Sequence, residues 1–428
     1  MSAWLRLMTV TVAAAMSVVV APLAAADNSG SGSTEARQAY SDAIDTSAGR
    51  VVAYQTGANF PMAMQRQDRS WYSTPRDARI VVVPNARRTI TGRLLLDAQG
   101  GSDRCANTPG TQTSDGTQLR SALFSADEAW RALDNPAVLI NTNFFDVRPQ
   151  LSGRSWRETL CSAPFGVYFD NSSTASAGES VEAAERAFYS GPKGLTGELE
   201  QGWGRLATFV ISGDGTGDSS VEMLVAPSPF DNDAAEARLR ELQDSGRIFT
   251  AFSGLSILHP SGAVDIPDGV RTARSAIGYS PAFDRLFVVQ AGSALDPSSG
   301  LTQEELGDLF RGLGATMAVQ LDSGGSSALV INRHSGVFWA GEGVNDGAAP
   351  AGACPELHDA VCSPGMTASG QSRQVPSWLG IGTPVFADGE PGDGEPGDGE
   401  PVYGEIGDGE IGDGEHTEMP DELPEYLD

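Results

Sequence analysis

The sequence predicts an α+β fold: a mixed, largely antiparallel twisted sheet with packed helices, in a single domain. Three observations carry this. A capped helix followed by an apolar strand with a polar or glycine-rich end occurs three times along the chain. Other apolar runs are joined by short turns, such as Ser280-Pro281 and Asp284, as antiparallel pairs are. A length of 428 residues at 40% hydrophobic composition suffices for a real core.

The elements follow in order. Residues 1–26 read as a secretory signal peptide. Arg6 supplies a positive start, 7–20 is an apolar run, and Ala24-Ala25-Ala26 fits a small-residue cleavage site. The run is short and ends before Pro22, so a membrane anchor fits less well. Residues 27–45 are a polar, Ser- and Gly-rich lead-in. The domain itself is expected over 46–387. Its first helix opens at Ser125, with Glu128 completing a capping box, and stops at Asn135-Pro136. A strand over 137–140 then runs into Asn141. The second helix begins near Asp233, carries Leu239 and Leu242 on one face and stops at Gly246. Its strand, 248–252, runs into Ser253-Gly254. The third is capped by Thr302 and Glu305, with Leu301 stapling onto Leu306. Leu306, Leu309, Phe310 and Leu313 keep helical spacing, and Gly314 ends it. A strand over 316–321 then delivers Asp322. Further strands are expected over 79–83, 89–96, 275–279, 286–290 and 328–331. Phe144 and Phe145 read as core.

Residues 388–428 repeat a Gly/Pro/Glu/Asp unit that cannot bury a core and should be disordered. The formal net charge is −28, of which this tail carries −16. Such acidity argues against nucleic acid and anionic membrane surfaces as partners. The tail could bind divalent cations weakly, although it lacks EF-hand spacing. No other cofactor is indicated. Lys193 is the sole lysine, so an anion site must use arginine or backbone N–H groups. The four cysteines, Cys105, Cys161, Cys354 and Cys362, suit two disulfides in an exported protein. Chain proximity favours Cys354 with Cys362 and Cys105 with Cys161. No C-x-x-C pair suggests a metal site.

The stretch Leu321-Asp322-Ser323-Gly324-Gly325-Ser326-Ser327 raises the chemical question. Asp-Ser-Gly-Gly is the nucleophile loop of trypsin-like proteases. That chemistry needs a histidine, then an aspartate, then the serine, in chain order. Only His259 precedes Ser323, its flanks do not fit, and the amphipathic helices do not belong in a double β-barrel. The protease reading is therefore set aside.

A better match uses the neighbours. The segment from Gly300-Leu301-Thr302 through a helix to Leu321–Ser327 resembles the phosphodiester glycosidase family, whose pattern is G-L-T, a helix, then L-D-G-G-G-S-S. Asn141-Thr142-Asn143-Phe144-Phe145-Asp146 resembles its N-G-G-F-F turn. Arg274-Ser275-Ala276-Ile277-Gly278 resembles its R-T-A-I-G strand, and 378–386 resembles its end. Two departures stand out. Ser323 replaces a glycine, and Gln290-Ala291-Gly292 stands where the family carries D-G-R.

The resemblance implies a single catalytic domain that hydrolyses a sugar-1-phosphodiester at the glycosidic carbon. Its substrate would be a phosphate-linked carbohydrate of an envelope or extracellular polymer. A phosphate monoester leaves readily, so the site needs phosphate stabilisation and a carboxylate to activate water or attack carbon. Asp322 is the first candidate for that carboxylate and Asp146 the second. Arg274 could clamp phosphate through its guanidinium fork, assisted by Arg271 or Arg148. Gly324, Gly325, Ser326 and Ser327 could form an anion-binding loop. Asn141 and Asn143 could meet sugar hydroxyls. The rival is a glycan-binding protein on the same fold without turnover, which the missing D-G-R favours. A purely structural surface protein fits the tail but not the ordered polar strand ends.

Overall fold

The computed structural model describes residues 50–56, 61–89, 92–94, 121–146, 161–170, 188–189, 206–213, 219–225, 233–260, 269–292, 296–332, 337–340, 360–364 and 373–382, with isolated positions between 34 and 47. All lie in one compact unit, Met1–Val385. The signal peptide, Cys105, Cys354, Arg148 and the acidic tail lie outside the described residues, as do the side chains of Cys161 and Cys362. No described helix is long and apolar enough to cross a membrane.

The fold is α+β. An 11-stranded sheet is antiparallel except where Val52–Gln55 meets Phe338–Ala340. Its middle runs Ile248–Leu258, Met317–Gln320, Arg274–Ser280, Arg285–Ala291, Ala78–Pro84. A second sheet of five strands runs Ala360–Pro364, Ala328–Asn332, Val138–Asn141, Trp378–Ile381, Gly92–Leu94.

Both faces of the large sheet are covered, so its strands are continuous apolar runs, not alternating ones. Val81, Ile277, Val288 and Val319 face the small sheet, where Val138, Ile140, Leu329 and Ile331 meet them. The alternate residues Ile80, Val82, Phe287 and Val289 lie under Leu306, Leu309 and Phe310 of helix Gln303–Gly312. The outer face of the small sheet packs Leu139, Val330 and Trp378 on Ala126, Ala129 and Leu133, at helix Ala126–Ala132. Helix Asp233–Asp244 places Leu239 and Leu242 over Phe249 and Ala251.

Both expected capping boxes are formed, at Ser125/Glu128 and Thr302/Glu305. Thr302→Ala should cost about 1 kcal/mol, read as a lower urea midpoint with an unchanged slope; no shift would show the cap idle. Leu301 and Leu306 share one core cluster, as the staple requires. Gly314 has φ 83°, the left-handed stop.

Two expectations need correction. The stretch 89–96 divides into a short helix, Ala86–Thr89, and a strand, Gly92–Leu94. The strand at 248 does not turn at Ser253-Gly254 but continues to Leu258. Gly254 belongs there because a Cβ at that position would lie 2.2 Å from the Gln320 carbonyl oxygen. The glycine admits a neighbouring backbone, not a turn. The hairpins Met62–Gln65/Trp71–Thr74 and Leu206–Gly213/Ser219–Val225 were not anticipated.

Candidate active site

The 321–327 stretch carries the chain from one sheet to the other. Met317–Gln320 is held between Ile248–Leu258 and Arg274–Ser280. The chain then leaves the large sheet. The Leu321 N–H still donates to the Ser275 carbonyl at 2.8 Å, and the Asp322 N–H donates to the Thr142 carbonyl at 2.8 Å. Gly324–Ser326 forms one 3₁₀ turn, and Gly324 has φ 62°, a conformation a side chain would strain. Ala328–Asn332 then enters the small sheet beside Val138–Asn141.

Asn141 locks this crossing. Its Nδ2 donates to the Asp322 carbonyl at 2.8 Å. Its Oδ1 accepts from the Ser275 hydroxyl at 2.7 Å and the Ala328 N–H at 2.9 Å. The side chain is fully buried. Both ends of the amide are thus engaged by the protein, and Asn141 positions the loop instead of meeting a sugar. Asn143 is likewise turned inward: its Nδ2 donates to the Phe165 and Val167 carbonyls at 2.8 and 2.9 Å. Ser327 is buried, its hydroxyl 2.8 Å from that of Ser275.

The Asp322 side chain is partly exposed at this junction. Its Oδ1 accepts from the Ser323 N–H at 2.9 Å, and the Ser326 hydroxyl donates to the same carboxyl. Burial pushes its pKa up to about 6, against the opposing pull of the Ser326 hydroxyl, the Arg373 guanidinium and the Ser323 N–H. A carboxyl that titrates near neutrality, beside donors that favour its ionised form, suits proton transfer with water.

The other candidates have settled places. The Ser323 hydroxyl donates to the Leu321 carbonyl at 2.9 Å and accepts from Gln320 Nε2 at 3.2 Å, so neither bond is to a histidine. This agrees with setting the protease aside. The expected anion loop is corrected in part: the Gly324 N–H donates to the Ala273 carbonyl at 2.9 Å and the Ser326 N–H to the Ser323 carbonyl at 3.3 Å. The first amide ties the loop to the segment before Arg274 and the second closes the turn, so both are engaged by the protein.

Arg274 also departs from expectation. It is 3% exposed, and its guanidinium donates to the Leu301 carbonyl, Gln320 Oε1 and the Val270 carbonyl at 3.0, 2.9 and 2.7 Å. It ties three segments together where a phosphate clamp was expected. Arg271 forms a two-point pair with Glu305, at 2.5 and 2.6 Å. Asp146 ends its strand paired with Ala163. Gln290, in the D-G-R place, is buried and donates to the Gly292 carbonyl at 2.7 Å.

Sequence reasoning missed Arg373. Its N–H donates to the Gly325 carbonyl at 3.3 Å, and its Nη1 to the Ser326 hydroxyl oxygen at 3.4 Å. A Cβ on Gly325 would stand 3.6 Å from the guanidinium, so Arg373 lies against the glycine pair. The usable signal was the lack of lysine, which directs attention to every arginine near a strand start; Arg373 precedes the Trp378–Ile381 strand.

The site is thus a carboxylate-bearing crossover between two sheets of an α+β domain. Residues 220–361 match the phosphodiester glycosidase family model. That span includes the Arg274–Gly278 and Leu321–Ser327 motifs but not Asn141 or Arg373. Among solved structures, the chain is similar to the catalytic domain of zebrafish N-acetylglucosamine-1-phosphodiester alpha-N-acetylglucosaminidase, auto-inhibited by its pro-peptide. Identity is 14% and the TM-score 0.39, over 78% of this chain and 88% of that one. It is also similar to a hypothetical protein from Synechocystis at 13% identity and a TM-score of 0.34, over 75% of this chain and 61% of that one. No curated protein matches the chain.

Proposed function

We propose that the protein is an exported hydrolase that cleaves sugar-1-phosphodiester linkages in a phosphate-linked carbohydrate, with Asp322 as its carboxylate. The supporting observation is the placement of Asp322 at the sheet-to-sheet crossover, with its backbone pinned by Asn141 and Thr142 and its pKa raised to about 6. In the ionised form Asp322 takes a proton from water. The water oxygen bonds to the anomeric carbon, the bond from that carbon to the phosphate oxygen breaks, and a phosphate monoester leaves with both electrons. Only ionised Asp322 can do this, so activity should fall as pH drops through about 6.

The test is release of free sugar from a panel of α-glycosyl-1-phosphodiesters by the mature chain. Equal amounts of sugar and phosphate monoester support the proposal. Carbohydrate binding without release would favour the glycan-binding reading, which rests on Gln290-Ala291-Gly292 in the D-G-R place.

A further inference from the structure

We propose that Arg373 is the anion-binding group of this site, holding the phosphate of the ligand beside Asp322. The inference rests on the site assignment above but not on turnover.

Arg373 is placed for this role. Arg274 is buried and spends three donors on protein acceptors, and Arg271 is joined to Glu305 through both terminal nitrogens. Arg274 reaches the Asp322 loop only through Gln320, whose Nε2 donates to the Ser323 hydroxyl. Arg373 is partly exposed and lies against the outer side of that loop, over the position where Gly325 has no side chain. A Cβ at 325 would stand in van der Waals contact with the guanidinium, so the two lie side by side.

Charge points the same way. Among the described residues, Arg373 is the charged side chain that acts on Asp322; Ser326 and Ser323 are the neutral donors. Ser326 connects the two, donating its hydroxyl proton to Asp322 while its oxygen accepts from Arg373. The loop therefore brings a carboxylate and a guanidinium within two hydrogen bonds of each other. That pairing suits a ligand with an anionic group next to an electrophilic carbon, as a glycosyl phosphate has. A guanidinium fork matches phosphate oxygens in two-point fashion, which a lysine could not reproduce. The Gly324 amide is engaged by the Ala273 carbonyl and the Ser326 amide by the Ser323 carbonyl, so a side-chain donor adds to what the loop backbone can offer.

The test is calorimetric titration of the full mature chain with inorganic phosphate. Variants are Arg373→Gln, Arg373→Lys, and Arg87→Gln as a folded control that removes an exposed ion pair with Asp284. The parent and the Arg87 variant should bind phosphate alike. Binding should weaken at least tenfold in Arg373→Gln and by an intermediate factor in Arg373→Lys. Arg373→Gln should also move the acidic limb of the activity profile to higher pH, because a positive charge that favours ionised Asp322 is gone. Undiminished phosphate binding in Arg373→Gln, or no phosphate binding by the parent, would overturn the proposal. Phosphate binding that needs Arg373, together with no sugar release from any substrate, would leave the anion site standing and remove the hydrolase reading.

Discussion

Asp322→Asn should reduce sugar release by about 10²–10⁴-fold, the usual contribution of a positioned base, and at the same time stabilise the fold at alkaline pH. The two effects share a cause. Burial raises the Asp322 pKa from 3.8 to about 6 in the folded state. The native state therefore holds the proton more tightly than the unfolded chain does. Below 3.8 both states are protonated and burial of the carboxyl costs little. As pH rises through about 6 the folded protein must ionise a poorly solvated group, and stability is lost. An asparagine cannot ionise, so it escapes that loss. After allowance for partial solvent exposure, the gain at pH 8 should be about 1–2 kcal/mol, fading to nearly nothing at pH 4. Paired urea unfolding curves at both pH values, run alongside the activity assay, would show it. A variant that loses stability at pH 8, or keeps parental activity, would remove Asp322 from its proposed role.

Asn141→Ala should destabilise the protein by about 2–4 kcal/mol. The substitution takes a partner from the Asp322 carbonyl, the Ala328 N–H and the Ser275 hydroxyl, the last of which keeps its bond to the Ser327 hydroxyl. Each unsatisfied buried group costs about 1–3 kcal/mol, and the groups are coupled, so the sum is not reached in full. The loss should appear as a lower urea midpoint. Activity per folded molecule should fall as well, since the Asp322 peptide loses one of its two anchors. A loss below about 1 kcal/mol would mean that water or a shifted side chain replaces the amide.

What could be read from the sequence was local. The capping boxes at Ser125 and Thr302 depend on residues three apart, and both were legible. The delivery of Asp322 by a helix and strand was legible for the same reason. Non-local contacts were not. Ser253-Gly254 has the composition of a turn, and only the Gln320 carbonyl, from a strand more than 60 residues later, explains the glycine. Arg274 and Asn141 stand at functional-looking strand ends, yet their donors face inward to partners supplied by distant segments. The sequence shows that such residues matter but not whether they hold the ligand or the loop. Arg373 carries no motif. Its relation to Asp322 exists only because the two sheets bring their strand ends together.

The crossover has a kinetic consequence. The bonds that fix Asp322 join residues 180 and 181 positions apart, and the Ser275–Asn141 bond spans 134. Closing such loops is entropically expensive before any contact rewards it, so sheets of this topology form slowly. The site cannot assemble on a half-formed scaffold, because one sheet alone leaves the 321–327 stretch tethered at a single end. During refolding from urea, enzymatic competence should therefore return with the slowest structural phase and trail the recovery of helical signal.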